Sequence, residues 1–152
     1  MPSLPAKMPN SKIFDAWALM AWVQDEKPAA DYVRNCIERA EEGKINLLMS
    51  WINVGEVYYM LTRKHHKKAS EDFLLRLPSL PIRLFLPNEE QFIQAAKLKA
   101  SNKLSYADAF AVSLAINENA ALVTGDPEIR VMAKGQFAVD RFEVDWIGPS
   151  TH

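Results

Sequence analysis

SYADAFAVSLAINENAALVTGDPEIR, residues 105–130, decides how this chain folds. Between Ala107 and Ile116 apolar side chains surround a helical stretch on every side, where a surface helix would keep one polar face. The helix is therefore expected inside a layered domain. Asp108 is the one formal charge in its first three turns, and Ala111, Val112 and Ala115 share its face. A lone anion buried in such a place is costly. Beyond Asn117 and Asn119, residues 120–124 read as a core strand, and Gly125-Asp126-Pro127 breaks it at its carboxyl end. A second acid thus stands at a strand end.

Working outward, helical and strand patterns alternate. Residues 12–15 form a short strand ending in Asp15, and 16–23 continue as an apolar helix. Residues 28–42 carry Tyr32, Val33, Cys36 and Ile37 at helical spacing, with Gly43 at the expected stop. A strand over 45–49 leads into a long helix over 51–63, with Trp51, Val54, Val57, Tyr58 and Leu61 on one side and Glu56 off that stripe. Residues 69–77 read as helix, 82–86 as strand, 88–100 as a helix capped by Asn88, 127–133 as a short helix and 142–147 as a last strand. Strands separated by helices predict a three-layer α/β/α sandwich around a mainly parallel sheet of about five strands.

Composition narrows the function. With 152 residues and 49% hydrophobic content the chain suits one domain with a real core: a tail over 1–11, the domain over 12–147 and a second tail over 148–152. The 18 basic and 19 acidic residues leave a net charge of −1, so any contact with nucleic acid must be local. Cys36 is the only cysteine, which suits a reducing compartment. The start, MPSLPAKMPNSK, has no apolar core of a signal peptide, and no apolar run approaches ~18 residues. A cytoplasmic protein without membrane attachment is expected.

In an open parallel sheet ligands bind beyond the carboxyl ends of the strands. Asp15 and Asp126 occupy such ends, Asp108 begins the helix before the second of them, and Glu56 follows a third strand by about one and a half helical turns. Four carboxylates facing one crevice repel, by roughly 4 kcal/mol for a pair ~4 Å apart at an effective dielectric of 20. They must hold either protons or a cation. Each acid has a simpler use as well. Asp126 before Pro127 is a good helix cap, Asp15 could cap the helix that follows it, Ser105 and Asp108 resemble a capping box, and Glu56 could be an exposed glutamate. One site accounts for all four acids together.

These residues carry a family resemblance. Ile13-Phe14-Asp15-Ala16, residues 50–56, Leu104-Ser105-Tyr106-Ala107-Asp108-Ala109 and Leu122-Val123-Thr124-Gly125-Asp126 resemble, in that order and spacing, PIN-domain ribonucleases, and more narrowly VapC-type toxins of bacterial and archaeal toxin–antitoxin pairs. The resemblance spans residues 12–147. It implies that Asp15, Glu56, Asp108 and Asp126 ligate Mg²⁺ or Mn²⁺, directly or through water, with Thr124 in support. It implies endonucleolytic RNA hydrolysis, an antitoxin partner covering the acidic crevice, and a homodimer. Asn53 stands where such toxins often carry Thr or Ser, a supporting position, and Pro127-Glu128-Ile129 lacks the aromatic common after the last acid. The basic residues Arg63, Lys64, Lys67 and Lys68 are candidates for RNA backbone contact, as are Lys97, Lys99 and Lys103 near the buried helix, although both sets also suit a wet helix face. The His65-His66 pair has no acidic or Cys companion at zinc spacing. A non-catalytic PIN-like binding module is the competing reading.

Overall fold

The computed structural model describes residues 10–135 and 141–150. Five strands form one sheet: β1 (Asn10–Phe14), β2 (Ile45–Ser50), β3 (Ile82–Phe85), β4 (Ala121–Thr124) and β5 (Val144–Trp146). Their order is β3-β2-β1-β4-β5 and every pairing is parallel. Ile13 pairs with Leu48 on one side and Leu122 on the other, and Phe14 with Val123. Because successive residues point to opposite faces, this register sorts the sheet into two cores. Ile13, Leu48 and Leu122 join Ala95, Leu98 and Phe110 on one face; Phe14, Leu47, Met49 and Val123 join Leu19, Val33, Val57 and Leu61 on the other. Apolar residues facing both ways are what a strand covered on both sides requires. The three-layer sandwich expected from the sequence is present.

One helical layer comprises α1 (Ala16–Val23), α2 (Ala29–Glu41), α3 (Trp51–Lys64) and α4 (Lys67–Arg76), which continues into a 3₁₀ turn at Leu77–Ser79. The opposite layer contains α5 (Glu89–Ser101), α6 (Tyr106–Glu118) and α7 (Pro127–Gly135). Side-chain oxygens start most of them. Asp15 caps α1, Ser50 caps α3, Ser105 caps α6, and Asn88 with Gln91 closes a full capping box on α5. Asn119 ends α6 in a left-handed conformation, φ 50°, a role Asn tolerates.

The sequence expectations differ from the structure at edges. Strand β1 begins at Asn10, inside the stretch read as a tail, while residues 1–9 and 151–152 of the expected tails lie outside the described residues. The last strand is shorter than 142–147, although Ile147 still donates to the Thr124 carbonyl at 3.0 Å. Trp51 is not on the buried stripe of α3; it is exposed, and Asn53 is buried with Val54, Val57 and Leu61. Residue 51 opens the helix immediately beyond the strand, where the sheet no longer covers it. Strand β5 is fastened by a cluster crossing two strands. The Lys12 amine pairs with the Asp145 carboxylate, and the Tyr32 hydroxyl donates to the same carboxylate at 2.9 Å. Burial pushes the Lys12 amine down, but its bonds to Asp145 and Tyr32 outweigh that and hold its pKa above the usual value.

The strand order places a reversal between β1 and β4. The chain runs outward through β1, β2 and β3, then returns to the other side of β1 for β4 and β5. A crevice opens beyond the carboxyl ends of the two central strands at such a reversal. Its wall depends on Gly125, since a Cβ there would land inside the indole of Trp17 from α1. Gly125→Ala should therefore cost ~1–3 kcal/mol as an overpacking substitution. For a domain this size thermal melting should show a fall of about 2–4 °C per kcal/mol, whereas Gly55→Ala on exposed α3, where a Cβ meets nothing within 4 Å, should not lower Tm.

Candidate functional site

Asp15 leaves the end of β1 and sits at the crevice floor, 1% exposed. One carboxylate oxygen accepts from the Ala18 amide at 2.9 Å, and the other accepts from the Thr124 hydroxyl at the end of β4. Thr124 in turn accepts from the Asp126 amide at 3.0 Å, and Asp126 accepts from the Glu128 amide at 2.8 Å to start α7. A chain of short polar links thus joins the ends of the two central strands. Asp15 and Asp126 both cap helices, as the simpler reading anticipates, and both still face the crevice electrostatically.

The other two acids come from opposite helical layers. Glu56 lies in the second turn of α3, half-buried, and Asp108 in the first turn of α6, buried. Only half of a capping box forms at α6. Ser105 accepts from the Asp108 amide at 3.0 Å, which leaves the Asp108 carboxyl group for the crevice. Between the two helices stands Asn53, fully buried. Its side-chain amide donates to the Ala107 carbonyl at 3.1 Å and makes a longer contact of 3.4 Å with Glu56. Asn53 Oδ1 has no partner, alone among the buried side-chain polar atoms of the described residues. A buried acceptor left unpaired costs ~1–3 kcal/mol.

The electrostatics record the crowding. Burial, with the charges of Glu56 and Asp126 behind it, pushes the Asp15 carboxyl up to about 7 against the pull of its bonds from Thr124 and Ala18. Burial also pushes Asp108 up to about 8, helped by a hydrogen bond to Asp126 and by the charges of Asp126, Asp15 and Glu56. Glu56 is raised by burial and by Asp126, while the Asn53 amide favours its charged form. All four acids interact across one crevice.

A PIN-domain family model matches residues 12–135. The chain belongs to the PIN-domain family. A sequence search of curated proteins finds no match. Solved structures resemble this PIN domain in fold: VapBC2 of Rickettsia felis, bound to a fragment of its promoter DNA, at 15% identity, a TM-score of 0.68 and coverage of 90% of this chain and 98% of that one; VapC20 of Mycobacterium tuberculosis, a sarcin–ricin-loop-cleaving toxin, at 12%, 0.65, 79% and 93%; and PAE2754 of Pyrobaculum aerophilum at 20%, 0.62, 87% and 91%. PIN domains as a family are nucleases.

Within this PIN domain Asp15, Glu56, Asp108, Asp126, Thr124 and Asn53 gather at the crevice. Arg63, Lys64, Lys67 and Lys68 do not. They are exposed around the carboxyl end of α3 and the start of α4, and a helix of that length carries Lys64 about 20 Å along its axis from Trp51. Lys67 also pairs with Glu71 at 3.6 Å, and the Arg63 guanidinium lies 5.1 Å from the Tyr59 ring centre. Of the other basic candidates, Lys99 donates to the Leu104 carbonyl at 3.0 Å. Sequence reasoning missed the Ala107 carbonyl as Asn53's acceptor, because a backbone group has no signature in the residue string. It also missed the Trp17–Gly125 contact that shapes the crevice wall.

The donor set suits a hard divalent cation. Carboxylate oxygens and the Thr124 hydroxyl line the crevice, and the histidines of the described residues, His65 and His66, are with the remote basic run. Among the described residues no three acidic, His or Cys side chains are grouped so that they could hold a metal ion as they stand. These acids take up protons on folding, since Asp15 and Asp108 titrate near 7 and 8 in the fold against 3.8 otherwise. Metal-free stability should therefore fall as pH rises from about 4 to about 8, because over that range the unfolded chain ionises these carboxyls while the folded chain still holds their protons. Thermal melting in chelator across that range checks the sign; a Tm that rises monotonically to pH 8 would contradict the buried-acid geometry.

Proposed function

We propose that this PIN domain is a divalent-metal-dependent endoribonuclease and the toxin of a VapBC-type toxin–antitoxin pair. The observation that carries the reading is the convergence of Asp15, Glu56, Asp108 and Asp126 on the crevice between β1 and β4, where burial and mutual charge raise the first three. Packing has no use for four repelling groups in one place, and capping occupies only part of two of them.

Mg²⁺ or Mn²⁺ held there would supply neutralising charge for phosphate oxygens and lower the barrier to hydrolysis at phosphorus. The chain's own residues divide the remaining work. Asp15 and Asp108 are assigned as primary ligands, and Asp126 as the more distant one. Glu56, less buried, is ligand or base orienting the attacking water. Thr124 fixes Asp15 through its hydroxyl and holds the amide of Asp126, so both strand ends keep one geometry. Trp17 and the flanking apolar core keep bulk water from the floor.

RNA as substrate is supported by the fold shared with the sarcin–ricin-loop-cleaving toxin. An antitoxin partner is supported by the toxin–antitoxin complexes of the same fold. A homodimer and a cytoplasmic setting remain part of the proposal; no helix among the described residues is long and apolar enough to cross a membrane. On this reading Arg63, Lys64, Lys67 and Lys68 contact RNA only where the substrate extends along α3, well away from the cleaved bond.

RNA cleavage with Mn²⁺ should be abolished by chelator and should fall at least about 100-fold in Asp108→Asn. The same substitution should raise metal-free Tm at pH 8, because it removes a buried like charge. Cleavage that survives either the chelator or the substitution would defeat the mechanism, and RNA binding without cleavage would favour a non-catalytic module.

A further inference from the structure

We infer that Asn53 is the positioning residue that sets Glu56 against Asp108, and that the affinity of the crevice for a divalent cation depends on its side-chain amide. The inference rests on the acid-site reading above and adds to it a residue that touches no ligand. The geometry is specific. The peptide group between Ala107 and Asp108 is held at both ends: its carbonyl accepts from Asn53 Nδ2 at 3.1 Å and its amide donates to the Ser105 hydroxyl at 3.0 Å. The same Nδ2 lies 3.4 Å from Glu56 Oε1. One amide therefore fixes the backbone of one acid and the side chain of another, across two helices that are 54 residues apart at this contact.

Packing alone gives no reason for asparagine here. The residue is buried in the first turn of α3, and its Oδ1 is left without a partner. A leucine would fill similar space without an orphaned acceptor. The amide cannot turn round to satisfy Oδ1, because that oxygen would then face the Ala107 carbonyl and the Glu56 carboxylate. What asparagine supplies, and leucine does not, is the donor pointed at both acids' supports. Loss of that donor strands nothing on α6, since the Ala107 carbonyl keeps its ordinary helical partner at Ala111.

Stability and cation affinity should therefore respond differently to its removal. The test follows thermal melting of the full chain during titration with Mn²⁺ alone, for wild type, Asn53→Leu and Asn53→Ala, the last requiring no extra room if the leucine variant does not fold. Metal-free Tm is expected to stay level or rise in Asn53→Leu, while the Mn²⁺ concentration needed for a given rise in Tm increases about 10-fold or more in both variants. An unchanged Mn²⁺ requirement overturns the inference, and with a large loss of metal-free Tm it makes Asn53 a structural tie only. If the wild type itself gains no Tm from Mn²⁺, the acid-site reading fails and the positioning role falls with it.

Discussion

Repulsion between buried carboxylates at the carboxyl ends of β1 and β4 is the constraint on which the rest of this structure turns. Asp15 and Asp108 are pushed up to about 7 and about 8, chiefly by burial and then by their neighbours. Such a group can be kept in a folded protein only if the surrounding chain over-determines its position. The fold does this with ordinary parts. Strand ends supply Asp15 and Thr124, helix starts supply Asp108 and Asp126, and the reversal of strand order between β1 and β4 brings both kinds of terminus to one opening.

Capping and ligation are therefore not competing explanations for these acids. A carboxylate has two oxygens and about four lone-pair directions. Asp15 gives one oxygen to the Ala18 amide and the other to Thr124, and Asp126 gives one to Glu128. The caps hold each group in a single rotamer, which a water-exposed acid would not have. A helix N-terminus also stabilises the ionised form of Asp15 through its dipole, opposing the burial that raises it. The caps thus make a charged crevice tolerable as well as ordered.

Much of this was legible in the sequence. The alternation of strand and helix, the all-round apolar helix at Asp108 and the Thr-Gly-Asp-Pro break identified the layers and put Asp15, Asp108 and Asp126 at strand ends and helix starts, because buried parallel strands and caps leave strong local signatures. Element ends moved by one or two residues where ladders and helices frayed, as at Asn10 and Glu118. Trp51 was misplaced because helical periodicity cannot tell that the first turn projects past the sheet. Asn53 was readable only as a polar residue near Glu56; its bond to a backbone carbonyl 54 residues away depends on tertiary packing that no local pattern encodes.

The proposed chemistry also explains why a chain with net charge −1 can have a polyanion as substrate. The crevice gathers negative groups, and the exposed cations nearest in sequence to Glu56 lie at the far end of α3. RNA approaching the bare acids would meet like charge at the reacting phosphate, where a low local dielectric strengthens the repulsion. On the proposed reading, cation loading is a precondition of productive substrate approach as well as of the chemical step. The same logic describes an inhibitor for this site: a protein segment carrying a basic side chain into the crevice would satisfy the carboxylates without supplying a phosphate. An antitoxin acting in that way would compete with the cation electrostatically before it blocked RNA sterically.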